Sequence, residues 1–104
     1  MSDIRRIGIL TSGGDAPGMN AAIRAIVRTA ISQNISCLGI YRGYNGLINS
    51  DVVEMDARSV DGIQVKGGTM LYTARCDEFR TPEGQKKAAN TCKLLGLDGI
   101  VAIG

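Results

Sequence analysis

The sequence contains no histidine and no tryptophan, and its aromatic residues are one phenylalanine and three tyrosines. Without histidine, the chain lacks the side chain that most often serves as a general base near neutral pH and as a metal ligand. Its three cysteines, Cys37, Cys76 and Cys92, are odd in number and widely spaced, which argues against a disulfide framework or a zinc site. We therefore predict no metal ligand among these residues.

The chain also has little excess of positive over negative charge and no long apolar run. The formal net charge is +2, the basic residues are scattered, and no aromatic residues interleave with them, so we expect no nucleic-acid partner. No apolar run approaches the roughly 18 residues of a membrane span, and the first residues lead directly into a strand-like segment rather than a signal peptide. These absences predict a cytoplasmic protein with no membrane partner.

Short apolar runs punctuate the chain and predict strands. Ile7 to Thr11 is bounded by charged residues on one side and glycines on the other, as is typical of a strand buried on both faces. The predicted strands are residues 7–11, residues 37–41, a short edge strand at 52–55 and a buried central strand at 100–103.

Helical patterns lie between these strands. After Pro17, apolar residues recur at steps of three and four, and Asn34 is expected to end this helix in a left-handed conformation. Thr81 begins a second helix with a capping hydroxyl, and Gly96 ends it. Other predicted segments are a loop before the edge strand, with Gly43, Gly46 and Asn49 to Asp51 as its signals, a brief helix from Ser59 to Gly67, and an extended segment at 69–74.

Alternating strands and helices predict an α/β domain with a mainly parallel sheet. The glycine-rich turn TSGGDAPG, residues 11–18, joins the first strand to the first helix. Such a turn allows close approach of a phosphate, and the helix N-terminus offers donors and partial positive charge. It matches neither the Walker A loop nor the dinucleotide fingerprint. A phosphate-binding turn and a ligand-free tight turn both remain possible.

Several motifs, in order, carry a resemblance to a known family. They are IGILTSGGDAPGMNAAIR at 7–24, GIY at 39–41 followed by GY at 43–44, KGGT at 66–69, TARCDEFR at 73–80 and DGIVAIG at 98–104. The chain resembles the N-terminal part of the bacterial ATP-dependent 6-phosphofructokinases. That resemblance implies the N-terminal part of a doubly wound, mainly parallel sheet. Residues 1–104 would be a partial nucleotide-binding domain, truncated at its last strand, with the second domain absent.

The resemblance also implies a glycolytic reaction and a set of site residues. The reaction is transfer of a phosphoryl group from ATP to fructose 6-phosphate, with Mg²⁺, giving fructose 1,6-bisphosphate. Gly14, Tyr44, Arg75 and Cys76 would bind ATP, and Arg75 would also stabilise charge on the transferred group. Taken without the family, Arg75 reads as a surface ion-pair partner of the acids that follow it. Cys76 has no histidine to activate it, so we interpret it as a small contact rather than a nucleophile.

Arg24 and Arg28 are spaced to lie on one helix face. By spacing alone this is a solvated face. By resemblance the two arginines, with Arg58, line an allosteric site between subunits of a homotetramer, where ADP or phosphoenolpyruvate binds.

The family's magnesium ligands and catalytic base are expected beyond Gly104, so we expect this chain to be inactive by itself. Two alternatives stay open: a pyrophosphate-dependent phosphofructokinase, and a stand-alone module that binds nucleotide or pairs with a full-length kinase.

Overall fold

A computed structural model describes residues 4–12, 18–56, 58, 71 and 77–104. In this part of the chain, four strands form one sheet in the order β3-β2-β1-β4. They are β1 (Arg6–Thr11), β2 (Ser36–Ile40), β3 (Val52–Met55) and β4 (Gly99–Ile103). β1 runs parallel to both β2 and β4, and β3 is antiparallel to β2. The predicted mainly parallel sheet and the edge position of β3 are confirmed.

The helices among the described residues are α1 (Met19–Ser32), α2 (Tyr44–Asn49) and α3 (Pro82–Leu95), with a 3₁₀ turn at Glu78–Arg80 before α3. Helices lie on both faces of the sheet. Ile9 and Leu10 are consecutive in β1, so they point to opposite faces, and both are fully buried. Ile9 packs in a cluster with α1, whereas Leu10 packs in a cluster with α2 and α3. This two-sided cover is the arrangement of a doubly wound sheet.

The end of α1 confirms the role predicted for Asn34. This residue has φ 60°, in the left-handed region. Its N–H donates to the carbonyl of Ile31 at 3.0 Å, and the N–H of Ile35 donates to the carbonyl of Ala30 at 2.8 Å. These two bonds form a Schellman motif, which satisfies carbonyls that the helix itself leaves without donors.

Both ends of α3 also follow their sequence signals. The Thr81 hydroxyl accepts the N–H of Gly84 at 3.0 Å, and Pro82 occupies the first turn. Gly96 has φ 69°, and the N–H of Leu97 returns to the carbonyl of Cys92 at 2.9 Å. The helix therefore begins and ends where capping chemistry predicts.

Two sequence predictions are wrong. The segment predicted as a loop before β3 contains α2. Gly46 makes this helix hard to predict, because glycine weakens a helix by about 1 kcal/mol relative to alanine. Here the glycine is required, since a Cβ at Gly46 would overlap the carbonyl oxygen of Tyr41.

The strand predicted to be buried, β4, is only partly buried and lies at the end of the described strand order. Its residues are alternately half-buried and exposed, and Ile100 is 37% exposed. The apolar composition suggested a fully covered strand, but β4 hydrogen-bonds to β1 alone within this sheet. The helix predicted from Ser59 to Gly67 and the extended segment at 69–74 lie outside the described residues, apart from Leu71.

Candidate functional site

The carboxyl ends of β1 and β4 lie side by side, because the two strands are parallel neighbours with Thr11 opposite Ile103. The N–H of Ser12 donates to the carbonyl of Ile103 at 2.8 Å. A Cβ at Gly104 would overlap the carbonyl oxygen of Ser12, so the two backbones meet at a distance that only glycine permits. In open α/β sheets, ligands bind at this edge.

The N-terminus of α1 follows the same edge. Gly18 caps the helix with φ 91°, in the left-handed region, and no side chain caps it by hydrogen bonding. The first intrahelical bond is donated by the N–H of Ala22 to the carbonyl of Gly18 at 3.0 Å. The described first turn carries no acidic side chain. The positive end of the α1 dipole therefore faces the edge where a phosphate could bind. Gly14, predicted to bind phosphate there, lies outside the described residues.

Tyr44, the predicted nucleotide contact, begins α2 and stacks on Phe79. The ring centroids are 4.0 Å apart and the ring planes are inclined by 12°. Both rings line a groove of about 510 Å³. Pockets that bind small molecules have volumes of roughly 300–1,000 Å³. The groove lies between α2, α3 and β4, and its lining is mostly apolar: Tyr44, Leu47, Phe79, Gln85, Ala88, Ala89, Cys92, Ile100 and Ala102.

Phe79 is the residue that the sequence analysis missed. It lies within the TARCDEFR motif, but the motif alone gave no reason to choose it over its neighbours. The structure brings it to Tyr44 through the 3₁₀ turn at Glu78–Arg80. A signal was present, since Phe79 is the only phenylalanine in the sequence. Arg75 and Cys76, predicted from the same motif, lie outside the described residues.

The described cysteines are not activated for nucleophilic chemistry. Cys37 is buried in the cluster under α1, and Cys92 is half-buried at the groove. Burial raises the pKa of both thiols, which keeps them protonated at neutral pH. This agrees with the prediction that both are packing residues, although Cys92 is only partly enclosed.

Arg24 and Arg28 lie one turn apart on α1. Arg28 is exposed, whereas Arg24 is half-buried. The Nε atom of Arg24 is the one buried side-chain nitrogen or oxygen in the described part of the chain that has no hydrogen-bond partner. An unsatisfied buried donor costs about 1–3 kcal/mol. Arg58 is exposed, but most of the residues around it are outside the described ranges, so its place beside α1 stays a prediction.

Across the described ranges, no three histidine, cysteine, aspartate or glutamate side chains group closely enough to hold a metal ion. None of the described helices has the length and apolar character needed to cross a membrane.

Comparison with known proteins finds phosphofructokinases that match nearly the whole chain. The family described as Phosphofructokinase matches residues 6–104. A protein of Clostridium botulinum (strain Hall) named ATP-dependent 6-phosphofructokinase is 59% identical over 101 residues, which are 97% of this chain and 32% of that protein. A Halalkalibacterium halodurans protein of the same name is 57% identical over the same shares. The chain thus spans about a third of the length of the curated relatives it matches.

Solved structures show the same likeness. Phosphofructokinase from Saccharomyces cerevisiae matches with a TM-score of 0.91 and 42% identity, over 94% of this chain and 13% of that one. Pichia pastoris phosphofructokinase in the T-state matches with a TM-score of 0.91 and 39% identity, over 98% of this chain and 11% of that one.

Proposed function

The chain belongs to the phosphofructokinase family, and from that premise we propose that it forms the nucleotide-binding part of an ATP-dependent 6-phosphofructokinase. In the proposed reaction, the 1-hydroxyl oxygen of fructose 6-phosphate bonds to the γ-phosphorus of ATP. The bond from that phosphorus to the bridging oxygen breaks, ADP leaves, and the hydroxyl proton is released. The observation that carries the proposal is the groove between α2, α3 and β4, which the rings of Tyr44 and Phe79 line.

The two ends of the nucleotide would bind to different features. We assign the phosphates to the turn containing Gly14 and to the N-terminus of α1, whose dipole favours an anion. We assign the base to the groove, where its planar ring can stack beside Tyr44. Arg75 would neutralise charge on the transferred phosphoryl group, and Cys76 would contact the nucleotide without reacting.

Magnesium, when bound, supplies charge neutralisation to the phosphates of ATP. The described residues form no group that fits this ion, so the proposal places no magnesium ligand among them. We propose that the magnesium ligands and the catalytic base lie in the region of the complete enzyme that corresponds to the part of the relatives outside this match.

The arginines of α1 support a regulatory proposal. The buried Nε of Arg24 lacks an acceptor, and a phosphate oxygen would provide one. Arg28 is exposed and lies one turn away, so the guanidiniums of Arg24 and Arg28 can together bind a diphosphate through forked hydrogen bonds. We propose ADP or phosphoenolpyruvate as the ligand, with Arg58 as a third contact. Fructose 6-phosphate as substrate, a homotetrameric complete enzyme and a cytoplasmic location complete the proposal.

ATP and pyrophosphate are the two candidate phosphoryl donors. The curated relatives described above are named ATP-dependent, which favours ATP. Calorimetric titration of the chain with each ligand tests this choice, because only ATP has a base to fill the groove. We expect ATP to bind at least tenfold more tightly than pyrophosphate, since stacking of a base contributes about 1–3 kcal/mol. Equal affinities would favour the pyrophosphate-dependent alternative, and a folded chain that binds neither would overturn nucleotide binding.

A further inference from the structure

We propose that four residues of the 3₁₀ turn and α3 form a clasp that positions the aromatic wall of the groove for a nucleotide base. The clasp consists of Glu78, Thr81, Gly84 and Lys87, and the wall is the stacked pair of Tyr44 and Phe79. This inference rests on the proposed function. The clasp residues are positioning residues, because they act on a ligand through the rings and not by touching it.

The Thr81 hydroxyl joins the turn to the helix. Its Oγ1 donates to the carbonyl of Glu78 at 2.7 Å and accepts the N–H of Gly84 at 3.0 Å. The backbone N–H of Thr81 also donates to the carbonyl of Glu78, at 3.0 Å. Thr81 therefore supplies two donors to the carbonyl of Glu78, the first residue of the turn, and an acceptor to a first-turn N–H of α3.

Gly84 lets the turn lie directly on the helix. It is buried, and a Cβ built on it would overlap both the carbonyl oxygen and the carbonyl carbon of Glu78. Because those atoms belong to the backbone, a side chain at position 84 could be accommodated only if the turn moved. Glycine is therefore required here for close approach rather than for an unusual backbone conformation.

The ion pair between Glu78 and Lys87 closes the outer side of the clasp. Lys87 Nζ lies 2.9 Å from Glu78 Oε2. The hydrogen bond to Glu78 raises the pKa of Lys87. Both side chains are about half exposed, so the pair is screened by solvent and contributes less than the Thr81 and Gly84 contacts.

Phe79 lies between the two ends of this clasp, inside the 3₁₀ turn. Its ring stacks on Tyr44 of α2 at a centroid distance of 4.0 Å, and both rings line the groove. Any movement of the turn therefore changes the groove wall. Since stacked aromatic rings favour a defined offset and separation, the clasp sets the surface that a planar base would meet.

The test compares two glycine substitutions in the full chain. Gly84→Ala should displace the turn. Gly99→Ala is the matched control, since a Cβ at that position meets nothing within 4 Å. Alanine is the better helix former, so loss of the wall in Gly84→Ala would not come from a weaker α3. We expect Gly84→Ala to lose the nuclear Overhauser contacts between the Tyr44 and Phe79 rings, and Gly99→Ala to keep them.

Binding of ATP and of inorganic tripolyphosphate separates the base from the phosphates. We expect Gly84→Ala to weaken ATP binding about tenfold, whereas tripolyphosphate binding changes less than about twofold. Thr81→Val should weaken ATP binding as Gly84→Ala does. Thr81→Ser should keep the wild-type affinities for ATP and tripolyphosphate, because serine retains the hydroxyl. Lys87→Met should have a smaller effect than either, measured against Lys86→Met on the adjacent exposed position.

Two results would overturn the inference. In folded Gly84→Ala and Thr81→Val, retention of the ring contacts and of ATP affinity would show that the clasp does not position the wall. Equal losses of ATP and tripolyphosphate affinity would show a general structural role. Failure of the unsubstituted chain to bind ATP would instead overturn the proposed function and the nucleotide role of the wall. The ring contacts would still report whether the clasp holds the turn.

Discussion

The carboxylate of Asp98 accepts the backbone N–H of Arg6 at 3.0 Å and so joins the start of β4 to the start of β1. The same oxygen accepts the N–H of Arg5 at 2.8 Å. The two strands are distant in sequence, and this carboxylate fastens the ends opposite the proposed ligand edge. It therefore helps set the register that places Thr11 beside Ile103.

These bonds predict a pH dependence of stability. The backbone hydrogen bonds from Arg5 and then Arg6 lower the pKa of Asp98 below its usual value. A lowered pKa means that the unfolded chain binds the proton more readily. The stabilisation is present above the unfolded pKa of about 3.9 and is lost as pH falls through the folded pKa.

Asp98→Asn should therefore lower the free energy of unfolding most above about pH 5, and the difference from wild type should shrink towards pH 2. Urea unfolding across this pH range measures the effect. Glu54→Gln, at an exposed position of β3, is the control. A deficit that is the same at every pH would show that the charge of Asp98 is not what matters.

The left-handed residue at the end of α1 predicts opposite effects for two substitutions. Asn34→Ala should destabilise the chain by about 1 kcal/mol, because a Cβ without a polar side chain is disfavoured at φ 60°. Asn34→Gly should be neutral or stabilising, since glycine is the preferred residue at this position. Chemical denaturation measures both, with Gln33→Ala as control. If Asn34→Gly were the more destabilising of the two, the side chain and not the backbone conformation would be the important feature.

Leu10 and Leu94 provide a matched pair for the core. Leu10 is fully buried between β1 and the helices α2 and α3, whereas Leu94 is 86% exposed on α3. We expect Leu10→Ala to cost about 2–5 kcal/mol and Leu94→Ala less than about 0.5 kcal/mol. Thermal unfolding monitored by circular dichroism distinguishes them. Similar costs would mean that α3 is covered in solution by a partner.

Arg24 is expected to show opposite signs for stability and binding. Arg24→Met removes the buried Nε that lacks a partner, so the ligand-free chain should keep or gain stability. The same substitution should weaken ADP binding at the proposed effector site about tenfold, because a forked donor is lost. Isothermal titration measures affinity, and Arg42→Met controls for the loss of one positive charge. Unchanged ADP affinity would assign Arg24 to a solvated helix face.

Much of the fold was predictable because its signals are local. The spacing of apolar residues predicted α1, and the chemistry at Asn34, Thr81 and Gly96 predicted helix ends within one or two residues of those observed. The family motifs predicted Tyr44 as a site residue, and the structure places it at the groove. Its role in nucleotide binding stays a proposal, as do those of Gly14, Arg75 and Cys76.

The sequence by itself therefore determined the class of fold, the main strands and helices, and the family. Only the tertiary structure decided that α2 forms around Gly46, that β4 stands at the end of the described sheet, and that Phe79 lies against Tyr44. The physical reason is range. Caps and periodicity act between residues a few positions apart, whereas packing joins segments whose approach depends on the path of the whole backbone.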